Sequence, residues 1–248
     1  MSMGRVLAGA CGLALLVGVV TGEAACGEDV RVGAAGAKAV QKQPAHPPAR
    51  APVKPIKRIY IMTDMEGVAG VRDAEGWCGP EGRYYDVGRR LLTLEVNAAI
   101  EGFLAGGATE FVVADGHGRG AVDIELLHPR AQLERGWPTG WPGPSLATGQ
   151  FDAVAWVGQH AKAGSEYAHL AHTQGWNYVD LSINGVSIGE FGQLAFCASE
   201  LGVRSIFASG DKAFAEEAQA LVPGIETVWV KRGTTPCLLY TSPSPRDS

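Results

Sequence analysis

Two carboxylates, Asp64 and Glu66, stand two positions apart in a stretch that reads Arg-Ile-Tyr-Ile-Met-Thr-Asp-Met-Glu-Gly from Arg58 to Gly67. Its apolar, β-branched first half predicts a buried strand. Residues i and i+2 of an extended chain point to one side, so both acids leave the strand end together. That is costly unless something positive lies between them, and a divalent metal is the candidate. More donors sit at the ends of two further apolar runs, in Asp115-Gly116-His117 and Gly158-Gln159-His160, and Glu190 follows an Asn184-Gly185 turn. Carboxylate and imidazole without thiolate suit zinc or another first-row divalent ion. Asp64, Glu66, His117, His160 and Glu190 supply enough donors for two metals sharing one carboxylate, an arrangement that activates water and polarises a substrate carbonyl. Asp64, nearest the strand end, is the choice for the shared ligand. His172, in Ala-His-Thr after the His160 strand, could act as general acid, base or nucleophile.

Taken singly, each residue has an ordinary alternative. Asp115 before glycine reads as a turn former, and Glu66 or Glu190 alone as a solvated surface acid. His128, in Leu-His-Pro, reads as a structural or surface histidine, and His169 sits in no motif. Position is what unites them: in open α/β sheets, ligands collect beyond the carboxyl ends of the strands.

The elements that would present these residues follow from periodicity. Residues 84–105 carry Val87, Leu91, Leu94, Ala98 and Phe103 at helical spacing and close on Gly106-Gly107, which predicts an amphipathic helix with these residues inward. Strands are expected at 109–114, 151–157, 203–208 and 227–230, with helices from 189 to about 201 and over 211–221. Residues 178–188 alternate around Asn184-Gly185, a strong hairpin signal. A short strand is expected within 126–133, and a Pro/Gly/Trp loop over 137–144. The reading is an α/β fold: a mainly parallel sheet with flanking helices and an antiparallel hairpin, opening on a right-handed βαβ unit.

Composition bounds the rest. With 248 residues, 46% hydrophobic and 19% charged, the chain suits one main domain with extensions. A formal net charge of -5 and the lack of a basic stripe argue against nucleic acid as a partner. Residues 1–25 read as a secretory signal: Arg5, an apolar run from Val6 to Val20 that is short for a membrane span, then small residues at Ala24 and Ala25. This implies a secreted or periplasmic protein. Membrane contact would arise only if Cys26 were lipidated. Residues 26–56 are rich in Ala and Pro and read as a disordered tether, with the core expected over 57–236. The tail, 237–248, resembles a translated sequencing adapter, so the core is expected to be cut short at its carboxyl end. Setting signal and tail aside leaves Cys26, Cys78 and Cys197, which make neither a disulfide framework nor a thiolate zinc site.

The motifs together resemble the zinc-dependent D-aminopeptidases of the DppA type. They are Thr-Asp-Met-Glu-Gly at Thr63, Asp-Gly-His-Gly at Asp115, Leu-His-Pro at Leu127, Gly-Gln-His-Ala at Gly158, Ala-His-Thr at Ala171, Asn-Gly at Asn184 and Gly-Glu-Phe-Gly at Gly189. Each is short, but all seven occur in the family's order. The resemblance implies that Asp64, Glu66, His117, His160 and Glu190 ligate two Zn2+ per subunit, and that His172 is the catalytic histidine. It further implies hydrolysis of amino-terminal D-amino acids, D-Ala above all, from short peptides, and a ring-shaped homo-oligomer. Two departures are the signal with its tether and the absence of the family's further carboxyl-terminal region. A two-metal amidase or phosphoesterase, or a non-catalytic, wall-associated metal-binding protein, are the other readings open at this point.

Overall fold

A buried strand, β1 (Arg58–Thr63), runs up the middle of a six-stranded sheet and is flanked by β2 (Glu110–Asp115) and β4 (Ala153–Gln159). Outward from β2 lies β3 (Ala131–Glu134); outward from β4 lie β7 (Arg204–Asp211) and β8 (Glu226–Lys231). The order is β3-β2-β1-β4-β7-β8 and every pairing is parallel. Central parallel strands are covered on both faces and so read as continuous apolar runs rather than alternating ones. That is the pattern of Ile59-Tyr60-Ile61-Met62 and of Ala153 to Val157, all buried.

The architecture is that of a computed structural model in which residues 54–136 and 144–234 are described. The expected signal (1–25), the tether to residue 53, the loop over 137–143 and the tail (237–248) lie outside the described residues. Residues 57–136 and 144–234 form a mainly parallel sheet with flanking helices, the expected α/β fold.

Helix α2 (Tyr85–Ala105) covers one face, packing Leu92, Val96 and Ile100 on Ile59, Ile61, Phe111, Val113 and Ala155. Helices α4 (Glu190–Glu200) and α5 (Lys212–Leu221) cover the other, packing Phe191, Leu194, Ala198, Phe214 and Ala218 on Tyr60, Met62, Val154 and Trp156. Two short helices, α1 (Ala74–Trp77) and α3 (Pro144–Thr148), stand where no helix was expected. In α1 the Asp73 side chain caps the helix by accepting from Gly76 N at 2.6 Å.

One expectation is corrected. Helix α2 does not turn Val87, Leu94 and Ala98 inward: these are exposed, and the buried stripe is Gly88, Leu92, Thr93, Val96 and Ile100. The segment Leu91-Leu92-Thr93-Leu94-Glu95-Val96 holds apolar residues on two overlapping helical stripes. Periodicity permits either, and contact with the sheet selects one.

The hairpin is present but brief. β5 (Ser182–Ile183) and β6 (Val186–Ser187) pair antiparallel about Asn184 and Gly185, at φ 51 and 79 degrees. Both values are those of a type I′ turn. The second arm runs through Gly189 directly into α4, so the turn delivers Glu190 to the first position of that helix.

Candidate metal centre

Strand order reverses between β1 and β4: connections step outward through β2 and β3 on one side and through β7 and β8 on the other. At such a switch point the flanking loops part and leave a crevice above the carboxyl ends of the two strands. Asp64 and Glu66 leave β1 into it, His117 follows β2, and His160 follows β4. The β1 and β4 ends are stitched together. Asp64 N donates to Val157 O at 2.9 Å and Gly67 N to Gly158 O at 2.7 Å. A β-carbon at Gly67 would fall 1.9 Å from Gln159 O, so this approach requires glycine.

The donor atoms form two groups. In the first, His117 Nδ1 lies 2.9 Å from Asp64 Oδ1 and 3.1 Å from Glu66 Oε2. In the second, His160 Nε2 lies 3.2 Å from Asp64 Oδ2 and 3.6 Å from Glu190 Oε1, and His172 Nε2 lies 3.7 Å from that same Glu190 oxygen. Asp64, Glu66 and His117 present ligand atoms within 4.8 Å of one another, and so do His160, His172 and Glu190. Asp64 faces both, one oxygen to each.

Outer contacts fix how the rings are presented. His117 Nε2 donates to Cys78 O at 2.7 Å, His160 Nδ1 to Ala161 O at 2.9 Å, and His172 Nδ1 to Leu170 O at 2.8 Å. A carbonyl only accepts, so each of these nitrogens carries the proton and the opposite nitrogen points at the carboxylates. This is how ligating histidines are oriented by their second partners. Asp115, read as a turn former, serves that role: its Oδ1 accepts from Ala121 N at 2.6 Å and its Oδ2 from Arg135 Nε at 2.8 Å, closing the loop that bears His117.

The charges are mutually dependent. Burial alone would raise Asp64, but hydrogen bonds and charge from His117 and His160 hold it well below the usual carboxylate range. Burial pushes Glu66 up, and the Asp64 charge adds to this; burial likewise pushes Glu190 up. Against the effect of burial, Asp64 and Glu66 push His117 up to about 12, and Asp64 pushes His160 up to about 10. His172 goes the other way, lowered by burial and by the neighbouring His160. Three acids and two imidazoles this close together favour positive charge between them. His160 Nε2 and Glu66 Oε2 are nonetheless buried without a geometrically sound hydrogen bond. Convergent carboxylates and imidazoles with orphaned donor atoms fit a pair of divalent ions.

The structure brings all six predicted residues together and leaves two histidines out. His128 Nε2 meets Glu101 Oε1 at 3.0 Å on the surface, and His169 Nε2 donates to Arg72 O at 2.8 Å. His172 sits within reach of the second group while stacking on His160, with ring centroids 3.9 Å apart. Its other face is covered by Trp176 at 4.5 Å. Sequence reasoning missed Trp176, the Cys78 carbonyl and Gln159, whose Nε2 donates to Asp64 Oδ2 at 2.7 Å. For Gln159 a signal existed: it is the one amide side chain in an otherwise apolar strand.

Residues 57–244 match the family model described as D-aminopeptidase. A D-aminopeptidase of Bacillus subtilis (strain 168) is 30% identical over 176 residues, which are 71% of this chain and 64% of the relative. The solved structure described as Zn-dependent D-aminopeptidase DppA from Bacillus subtilis, a self-compartmentalizing protease, superposes with a TM-score of 0.67 at 30% identity. That match covers 72% of this chain and 65% of the other. The chain spans a little under two thirds of the length of both relatives.

Proposed function

This chain belongs to the D-aminopeptidase family, and from that premise we propose that it is a two-zinc exopeptidase that removes amino-terminal D-amino acids, D-Ala above all, from short peptides. The observation that carries the proposal is the two-sided presentation of Asp64, with Oδ1 in one donor group and Oδ2 in the other. Asp64, Glu66 and His117 would hold one ion; Asp64, His160 and Glu190 the other. Bound there, the ions supply Lewis acidity, which activates water and polarises a peptide carbonyl.

The remaining work falls to His172. Its Nδ1 proton is held by Leu170 O, and its lowered pKa keeps the ring neutral, so Nε2 offers a lone pair toward the crevice. From there Nε2 takes the proton from the attacking water and returns it to the departing amine. Glu190, 3.7 Å from Nε2, stabilises the imidazolium between those events. Trp176 closes the open side of the ring and limits its exchange with bulk water.

The reading extends to place and assembly. Cleavage of residues 1–25 would release a tethered enzyme outside the cytoplasm, among D-Ala-containing wall peptides. A homo-oligomeric ring would restrict access to short peptides, in keeping with the self-compartmentalizing relative.

The test is turnover by the zinc-loaded protein. D-Ala-D-Ala should be hydrolysed at least about 100-fold faster than L-Ala-L-Ala, the scale on which one positioned group alters a rate. Activity confined to phosphoesters or to side-chain amides would overturn the assignment. Zinc uptake with no hydrolysis of any substrate would point to a binding protein instead.

A further inference from the structure

Gln159 is 3% exposed and ends a strand that is otherwise wholly apolar, β4. Its peptide is immobilised from two sides. A β-carbon at Gly67 would lie 1.9 Å from Gln159 O, and one at Gly210 would lie 1.8 Å from the same oxygen. Between Trp156 and Gln159 the register with β7 slips: Trp156 pairs with Ala208 and Gln159 with Gly210, leaving one extra residue on β4. A bulge of this kind re-aims the following side chain. Here it turns the Gln159 amide to Asp64, where Nε2 donates to Oδ2 at 2.7 Å.

The other Asp64 oxygen has its own neutral donor, Met65 N, at 2.8 Å from Oδ1. The carboxylate is therefore clamped at both oxygens, and the clamp leaves Oδ1 facing His117 and Oδ2 facing His160. A terminal carboxylate torsion is otherwise soft, with a broad distribution and no staggered well to hold it. A donor is needed to keep the plane turned so that both groups are served at once. It must also be uncharged, since a cation at that point would compete with the ions for Asp64. Glutamine meets both conditions.

We propose that Gln159 is a positioning residue that sets the rotation of Asp64 and thereby completes the second metal group, that of His160 and Glu190. The proposal rests on Asp64 being the shared ligand. The first group keeps its Met65 N contact whatever occupies position 159, so the loss of the amide should fall on one group only.

The test is Zn2+ titration of the metal-free full chain by calorimetry, with visible spectra of the Co2+-substituted protein recorded alongside. Gln159→Met is close in shape and carries no donor; Gln159→Leu repeats the change with a different shape; Asp64→Ala tests the shared ligand, and the unaltered protein is the reference. Unaltered protein should take up about two equivalents, as expected of a shared-carboxylate site. In both Gln159 variants one equivalent should weaken about 10- to 100-fold, the usual effect of removing an outer-shell partner, while the other stays within about threefold. One of the two Co2+ bands should fade to match. Equal weakening of both equivalents, or no change in either, would overturn the positioning role. A different outcome, Asp64→Ala still binding two equivalents, would overturn the shared ligand itself and the proposal with it.

Discussion

Asp64 accepts hydrogen bonds at both oxygens while nearly excluded from solvent and still faces two imidazoles. A carboxylate so placed is expected to be a ligand whose removal empties the site. Asp64→Ala should lose both zinc equivalents, measured by elemental analysis after dialysis; full occupancy in the variant would count against it. His172 is expected to behave differently, because its part is proton transfer. His172→Ala should keep most of its zinc while kcat falls about 100- to 10,000-fold, the range for loss of a general acid–base. If zinc falls with activity, His172 is a ligand of the second group, a place its 3.7 Å separation from Glu190 allows. Asp64, Glu66, His117 and His160 were legible because they stand where apolar runs stop. Gln159 also ends an apolar run, but its role was not legible there, because it depends on where a bulge turns the amide.

Among the elements, α2 is the one whose sequence pattern misled. Leu92 is fully buried against the sheet whereas Leu94 is 44% exposed, though both are leucines in one apolar stretch. Chemical denaturation should separate them: Leu92→Ala should cost about 2–5 kcal/mol and Leu94→Ala less than about 1 kcal/mol. Equal costs would mean that the helix sits in a different rotation. The same helix carries Glu95, whose Oε1 accepts from Ala69 N at 2.8 Å and whose Oε2 is buried without a partner. Burial pushes its pKa above the ordinary 4.5. The native state thus holds this proton more tightly than the unfolded chain does. The resulting stability is complete below the unfolded value and is lost as pH rises through the raised native value. Glu95→Gln keeps an acceptor for Ala69 N and cannot ionise. It should melt about 2–4 °C higher near pH 7, as follows from relief of about 1 kcal/mol of buried, unpaired charge. The gap should close near pH 4. A variant no more stable than the parent at pH 7 would show that Glu95 is solvated.

For the whole molecule, crowding of three acids in one crevice should make stability depend on cations. Chelation should lower the melting temperature, and excess Zn2+ should restore it. At free zinc about 100-fold above its dissociation constant the linkage is about 2.7 kcal/mol for one site, or about 5–10 °C in a domain of this size. A melt indifferent to chelator would argue that the acids are neutralised from within, by protonated His117 and His160. Strand order contributes to this dependence, because reversal between β1 and β4 parts the loops at the one place where acids from β1 meet imidazoles from β2 and β4.

What the sequence determined alone was the kind of chemistry and the elements that carry it. Apolar runs of strand length, glycine-rich turns and the ordered motifs name the donors, because residue type and i, i+2 spacing are local facts. The i, i+2 alternation expected at Asp64 and Glu66 is replaced by a turn, since β1 ends at Thr63 and Glu66 lies in the bend that follows, yet both acids still reach His117. Asn184-Gly185 forms the tight hairpin expected ahead of Glu190. The tertiary structure alone decided three things: which stripe of α2 is inward, that Asp64 gives one oxygen to each donor group, and that Gln159 holds it there. Each depends on contacts between residues far apart in the chain, such as the 95 positions that separate Gln159 from Asp64. Local propensity leaves those choices nearly degenerate, and only the packing of strand ends against one another removes the degeneracy.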